Sequence, residues 1–418
     1  MTARVGAAVR DCTPPSGLAM SGFAARTGPA VGAHDPLTVR ALAVDDSVLI
    51  TVDACGLHED FCARVRAELA DCGSVVVAAT HTHGGPATMP GRLGGPVDAN
   101  YQARLYATCV AAARAARSAR EPVSIEVGTG PDPGIARNRR RADGPVHAPL
   151  GVVRFRRADG TCAASVVGYA CHPVVLGADN RHWTADYPGV VRTVMEEAEP
   201  GSVCLFLTGC CGELNTGHSA YASMSAGASA DRTFAAAGRI GRRIAEAALA
   251  VPTAKTTADA GSGTGGASQE VRLPLRTADP AETAALVARW ERELPQADAG
   301  RRELLRAWLA WARDVAPRTR TSWTGRVTVL RWGSLRLVAL PGEPFSATAR
   351  DIAARVPGDV IVIGYSDGCP GYLPPVTELD QGGYEVEDAH RYYGMPAPFA
   401  PGAAESLADA AVGLASGL

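Results

Sequence analysis

At 418 residues, with 46% hydrophobic and 20% charged residues, the chain has the composition of a soluble globular protein large enough to bury a site. A formal net charge of −2, a pI near 6.5 and the lack of a long basic run exclude the concentrated positive field that nucleic acid or an anionic membrane requires, so a small-molecule partner is expected. The N-terminal residues lack the apolar core of a signal peptide, and no apolar run is long enough to cross a bilayer, so a cytoplasmic protein without stable membrane insertion is expected.

In chain order, short apolar runs read as strands at Ala41 to Val44, Val48 to Val52, Val75 to Ala79, Ser124 to Val127, Gly151 to Phe155 and Ser165 to Ala170. Between them, Phe61 to Asp71 and Tyr101 to Ala119 repeat their apolar residues at helical spacing. Strands alternating with helices predict an α/β, mixed layered α+β fold: central mixed sheets with flanking helices. Ser202 to Leu207 is a further strand, running into the turn Thr208-Gly-Cys210-Cys211-Gly-Glu213-Leu-Asn215.

Residues 219–232 and 256–268 are poor in hydrophobic bulk and read as flexible loops. Ala281 to Ala316 carries a helical pattern broken near Pro295, with Leu304, Leu305, Trp308 and Trp311 in one apolar stripe. This predicts a helical hairpin inserted at about 280–316, either packed as core or serving as a lid. Arg326 to Trp332 and Leu335 to Leu340 then form a β-hairpin that ends in Pro341-Gly-Glu343-Pro, and the chain reads as a single catalytic domain over 1–418.

Four of these segments share one design, an apolar strand terminated by a polar group beside Gly or Pro. The groups are His81 and His83 before Gly84-Gly-Pro86, His172 before Pro173, Glu343 in Pro-Gly-Glu-Pro, and Tyr372 in Gly371-Tyr-Leu-Pro374. Residues two apart in an extended chain point the same way, so His81 and His83 can face one pocket. Imidazole and carboxylate are the usual ligands of catalytic zinc. The residues alone leave plainer roles open: His172 as a satisfied core histidine, Glu343 as a cap on a helix starting near Ser346, and Asp53 as a turn cap.

The eleven cysteines include no CxxC pair, which argues against a disulfide framework and makes most of them small buried hydrophobes. Cys210 and Cys211 read as packing residues first and as a thiolate nucleophile second. The one basic concentration, Arg137-Asn-Arg139-Arg140-Arg141, is a solvated loop or an anion contact.

Taken together, Thr80-His81-Thr-His83-Gly-Gly-Pro86, His172-Pro173 with Asp186 downstream, Leu340-Pro-Gly-Glu343 and Gly371-Tyr372 resemble the neutral ceramidase family, in the same order along the chain. That family is a zinc-dependent amidase. The resemblance implies Zn2+ as cofactor with His81, His172, Glu343 and Tyr372 as its ligands. It places His83 beside the substrate as acid/base or oxyanion donor, and Arg139 near the bound ligand. Asp186 is expected to orient a ligand histidine, and Cys210 and Asn215 to lie in the substrate-binding turn.

Two departures bear on substrate. By the resemblance, Asn215 stands where the family carries an active-site serine, and with the sequence ending soon after Tyr393 the family's C-terminal immunoglobulin-like domain is expected to be missing. The expectation is a shorter hydrolase cleaving an amide in a small N-acylated substrate by attack of metal-activated water, with no protein nucleophile. An ester or lactone hydrolase on the same site, a non-catalytic zinc or ligand-binding protein, and a cysteine acyl transferase are the alternatives. Homo-oligomerisation stays open.

Overall fold

The strand Thr38–Val44 is buried at every position, the signature of a strand covered on both faces of its sheet. In the computed structural model, which describes residues 2–93, 95–220, 230–256, 263–277 and 279–418, it belongs to the larger of two principal sheets. The strands of that sheet are β1 (Thr2–Asp11), β2 (Thr38–Val44), β3 (Ser47–Val52), β4 (Ser74–Ala79), β5 (Glu121–Gly130), β6 (Leu150–Arg156), β7 (Cys162–Tyr169) and β8 (Val203–Thr208). They run in the order β8-β7-β6-β5-β1-β2-β3-β4, and the short segment Ala254–Lys255 pairs with β5. Only β3 with β4 and β7 with β8 are parallel; the other neighbours are antiparallel.

A second sheet, β9 (Thr264–Pro274), β10 (Ser322–Trp332), β11 (Leu335–Ala339) and β12 (Asp359–Ile363), is antiparallel except for its last pair. The period-2 alternation of strands explains how the sheets stack. Leu42, Val44, Val76 and Phe155 of the first sheet meet Leu330, Trp332, Leu337 and Ile361 of the second. Val39, Ala41, Ala43 and Val77 point the other way, into a core shared with helices.

The main helices are α1 (Glu59–Glu68), α2 (Ala99–Ser118), α3 (Tyr187–Ala198), α4 (Phe234–Ala250), α5 (Pro280–Glu293), α6 (Ala299–Asp314), α7 (Ser346–Arg355) and α8 (Ala403–Ser416). The first four cover the larger sheet, and α7 and α8 cover the smaller. Asp98 starts α2 by accepting from the Tyr101 amide. Helices α5 and α6 enclose a small core of Trp290, Leu304, Leu305, Trp308 and Trp311. No helix among the described residues is long and apolar enough to cross a membrane.

The class expected from sequence, mixed sheets with flanking helices, is the one observed. The loop expected over 256–268 is corrected in part: Thr264–Ser268 pairs with Thr328–Trp332 as the start of β9, while residues 257–262 lie outside the described residues. Of the loop expected over 219–232, residues 221–229 also lie outside them.

The carboxyl ends of strands from both sheets meet in one place. The Ala79 amide donates to the Tyr365 carbonyl at 3.0 Å and the Asp367 amide to Val77 at 2.8 Å, tying the end of β4 to the segment after β12. The Gly364 amide donates to Thr208 at 3.1 Å, which adds β8. Thr208 Oγ1 donates to the Thr80 carbonyl at 2.7 Å, although β4 and β8 stand at opposite ends of the strand order, so the sheet coils until its edges approach. Crevices outside the carboxyl ends of strands are where α/β folds build their sites.

Candidate metal centre

His81 lies two residues beyond β4 with φ at +64°, a left-handed conformation unusual for a side-chain-bearing residue. Its ring stacks on Tyr365, centroids 4.0 Å apart, and Tyr365 is itself at φ +56°. Two such residues in contact at one spot are the kind of backbone strain that functional sites retain. His81 Nδ1 faces the Cys55 carbonyl. His172, three residues past β7, faces the carbonyls of Cys211 and Leu214 with its Nδ1 at 2.7 and 3.0 Å.

A carbonyl can only accept, so each Nδ1 carries the hydrogen and each Nε2 presents a lone pair. Both lone pairs point at Glu343. Its Oε2 is 3.0 Å from His172 Nε2 and 3.4 Å from His81 Nε2. The three residues are buried, and their ligand atoms lie within 4.8 Å of one another. Three acceptors converging without a donor between them is a donor set suited to a cation, and carbonyl-oriented imidazoles are the ordinary support of metal-ligating histidines. Without one, the trio must share a proton. Burial opposes charge on His81, yet Glu343 and Cys55 raise it to about 10, whereas burial, with Arg139 nearby, lowers His172 to about 4.

Cys55, His81 and His83 form a second close group. Its sulfur lies on the Nδ1 edge of His81, 3.8 Å away, while His83 Nε2 is 3.4 Å from His81 Nε2 on the opposite edge. One ion cannot use both edges of a ring, so the His81, His172 and Glu343 group is the coherent one.

Beside this trio, whose three members do not line it, lies a cavity of about 1070 Å³ whose wall includes His83, Arg139, Tyr372, Tyr393 and, from α6, Arg306 and Trp311. The inserted hairpin thus both packs on its own core and walls the cavity. His83 Nδ1 is buried and has no hydrogen-bond partner among the described residues. Burial and the neighbouring His81 and His172 hold its pKa well below the usual histidine value, so the ring is neutral. Tyr372 accepts from Arg139 Nη2 at 2.9 Å. Burial pushes the Tyr372 phenol well above its ordinary value, so it keeps its proton as a donor. Arg139 is fixed in turn by Glu385 and the Gly212 carbonyl, each at 2.8 Å.

Other expected site residues sit elsewhere. Asp186 makes no hydrogen bond to His81 or His172 among the described residues; its carboxylate accepts from the amides of Leu176 at 3.1 Å and Tyr187 at 2.6 Å and caps α3. The orienting role expected of it belongs to the carbonyls of Cys55, Cys211 and Leu214. Asn215 Oδ1 accepts from the amides of Gly217 and His218, so the side chain closes its own turn. Cys210 and Cys211 are fully buried, and burial raises both thiols well above the ordinary value. Cys211 Sγ touches the Tyr365 hydroxyl at 3.1 Å; Cys210 lines a separate small crevice with Thr129, His147 and Ala349.

Two residues not singled out from sequence belong to the centre. Tyr393 donates its hydroxyl to Glu343 Oε1, and the Tyr365 hydroxyl is 3.5 Å from Oε2. Tyr365 follows the apolar strand Asp359–Ile363 and Gly364, the same design as the other strand ends, so that pattern could have found it; Tyr393 carries no such signal.

No protein-family model matches the chain, and no curated protein matches it. Among solved structures it is similar to a neutral ceramidase from Pseudomonas aeruginosa, with 17% identity and a TM-score of 0.74, covering 100% of this chain and 75% of that one. It is also similar to a ceramidase complexed with C2, with 16% identity and a TM-score of 0.73 over 99% of this chain and 75% of that one. The chain therefore shares the fold of these ceramidase structures over its whole length and spans about three quarters of theirs.

Proposed function

We propose that the protein is a zinc-dependent hydrolase that cleaves the amide bond of a small N-acylated substrate, with His81, His172 and Glu343 holding the metal and the chain acting as one catalytic unit. The observation that carries this reading is the convergence of two Nε2 lone pairs and one carboxylate oxygen within 4.8 Å, both imidazoles turned by main-chain carbonyls. The fold shared with ceramidase structures supports amide hydrolysis as the chemistry.

When bound, zinc supplies Lewis acidity, lowering the pKa of a bound water and polarising the amide carbonyl. The chain's own groups do the rest. Tyr372 keeps its proton, and its oxygen is already occupied as an acceptor by Arg139, so its O–H is available to the substrate carbonyl oxygen as negative charge develops there. We assign Tyr372 this role in preference to metal ligation. Neutral His83, on the cavity wall with an unpartnered Nδ1, takes a proton from the attacking water and passes it to the departing amine. Loss of the family serine at Asn215 removes nothing this route needs.

The test is metal analysis of protein purified without added metal, together with turnover of a panel of N-acyl amines and amino acids. About one zinc per chain is expected, lost in His81→Ala and Glu343→Ala. Full metal occupancy in both variants refutes the ligand assignment, and a zinc-loaded wild type that cleaves no member of the panel refutes the amidase reading.

A further inference from the structure

Arg26 is an arginine on the cavity wall that makes no ion pair among the described residues, Asp179 being the nearest acidic influence on it. Its Nη1 donates to the Ser21 carbonyl and its Nη2 to the His83 carbonyl, each at 2.8 Å. Its Nε is buried without a partner, and no Asp or Glu pairs with it among the described residues. Other arginines of the same cavity are matched, Arg139 by Glu385 at 2.8 Å and Arg92 by Glu59 at 2.7 Å. Arg318 and Arg320 lack carboxylates too, but they stand exposed at the rim, where water serves them.

A second guanidinium, that of Arg232, shares the aromatic ring beside Arg26, with Asp179 and Asp186 acting on it. The guanidinium carbons of Arg26 and Arg232 lie 4.9 and 5.5 Å from the Phe23 ring centroid, and the same ring meets His83 at 4.8 Å. A buried guanidinium nitrogen without a hydrogen-bonded carboxylate is costly, and a planar fork of N–H groups matches a carboxylate.

We propose that Arg26 receives a carboxylate of the substrate, so that the substrates are N-acyl amino acids rather than neutral N-acyl amines. This rests on the amidase reading above. The acid belongs on the amine half, because Arg26 is bonded to the main chain of His83, the residue assigned to protonate the departing amine.

The test compares N-octanoyl-L-leucine with N-isopentyloctanamide, which differ only in the carboxylate, on the zinc-loaded enzyme. The wild type is expected to favour the acid in kcat/KM by about ten-fold or more, as a charged hydrogen bond supplies. In Arg26→Met that preference collapses towards one, and Arg26→Lys keeps part of it. Because the readout is a ratio on one protein sample, general damage cancels. A wild-type ratio near one, or an unchanged ratio in Arg26→Met, overturns the proposal.

Calorimetric binding of the ketomethylene analogue of N-octanoyl-L-leucine, which cannot be hydrolysed, separates this from the amidase reading. It is expected to weaken about ten- to a hundred-fold in Arg26→Met. If no amide is cleaved while the analogue still binds through Arg26, the amidase reading fails and the carboxylate site stands. If both amides are cleaved equally and the analogue binds wild type and variant alike, the amidase reading stands and the carboxylate site falls.

Discussion

Glu343 and Tyr372 pair backbone to backbone in a short parallel bridge, residue against residue. This sets a carboxylate beside a phenol on the cavity wall, the carboxylate engaged by His81 and His172 and the phenol by Arg139. The pairing makes their roles separable. Tyr372→Phe is expected to retain zinc while kcat falls by about a hundred- to a thousand-fold, the usual loss on deleting one oxyanion donor. Metal content measured beside kcat checks this, and loss of zinc in that variant would make Tyr372 a ligand instead.

A metal bound only by the folded chain stabilises it by mass action, by about 4 kcal/mol when free metal is a thousand-fold above Kd. Chelation should therefore lower the melting temperature of the wild type clearly. Glu343→Ala should melt at the same temperature with and without chelator, and a chelator effect surviving in that variant would place the stabilising ion elsewhere.

Glu213 carries a pH dependence of stability. Its carboxylate accepts from the Ser346 amide at 3.0 Å at the start of α7, and burial pushes its pKa up to about 7. In the unfolded chain it titrates near 4.3. Between those values the folded state holds a proton that the unfolded state has released, so stability falls as pH rises from about 4.5 to 7. At about 1.4 kcal/mol per unit, the wild type should lose about 3 kcal/mol relative to Glu213→Gln across that range. Denaturant unfolding of both proteins at pH 4.5 and 8 measures the difference; an unchanged gap removes Glu213 as its source.

Asp53 holds the strand end that carries His81. It receives both Arg192 nitrogens at 2.7 and 2.8 Å and the Thr80 hydroxyl at 3.0 Å, all buried. Removing one partner of a buried ion pair leaves the other uncompensated, so Arg192→Met should cost about 3–5 kcal/mol. Because Thr80 precedes His81, Asp53→Asn should also weaken zinc binding, which metal titration of the folded variant would read.

Thiol chemistry should be silent. Cys210 and Cys211 are buried and Cys72 is the one partly exposed cysteine, so alkylating the native protein is expected to modify Cys72 and leave turnover intact. Inactivation that tracks modification of Cys210 or Cys211 would revive an acyl-transferase mechanism.

Much of the site was legible because strand ends advertise themselves: β4 leads into His81 and β11 into Glu343 through runs of apolar residues that stop at Gly or Pro. What escaped was structure built from small residues. β1 offers no bulky apolar run at Gly6, Ala7 and Ala8, yet a Cβ at Gly6 would stand 2.2 Å from the Ala116 carbonyl, so the glycine is there to admit α2. Gly266 misled in the same way: it clears Ser74 Oγ, which a Cβ would meet at 2.5 Å, inside a strand that read as a loop. Asp186 stands downstream of His172 as an orienting carboxylate would, whereas main-chain carbonyls, which no side-chain pattern betrays, face both rings. Tyr365 follows an apolar strand and a glycine and was open to the same reading as the other strand ends, whereas Tyr393 reaches Glu343 through tertiary folding alone.

One short stretch moors two parts of the molecule. Arg391 sits 5.0 to 5.5 Å from the ring centroids of Trp290, Trp308 and Trp311, and Trp311 Nε1 donates to the Met395 carbonyl at 2.8 Å. Between these two anchors, Tyr393 grips Glu343. An outward swing of the helical hairpin consequently tugs on the carboxylate at the heart of the centre, so widening the cavity for a bulkier guest and keeping a firm hold on an ion are mechanically opposed.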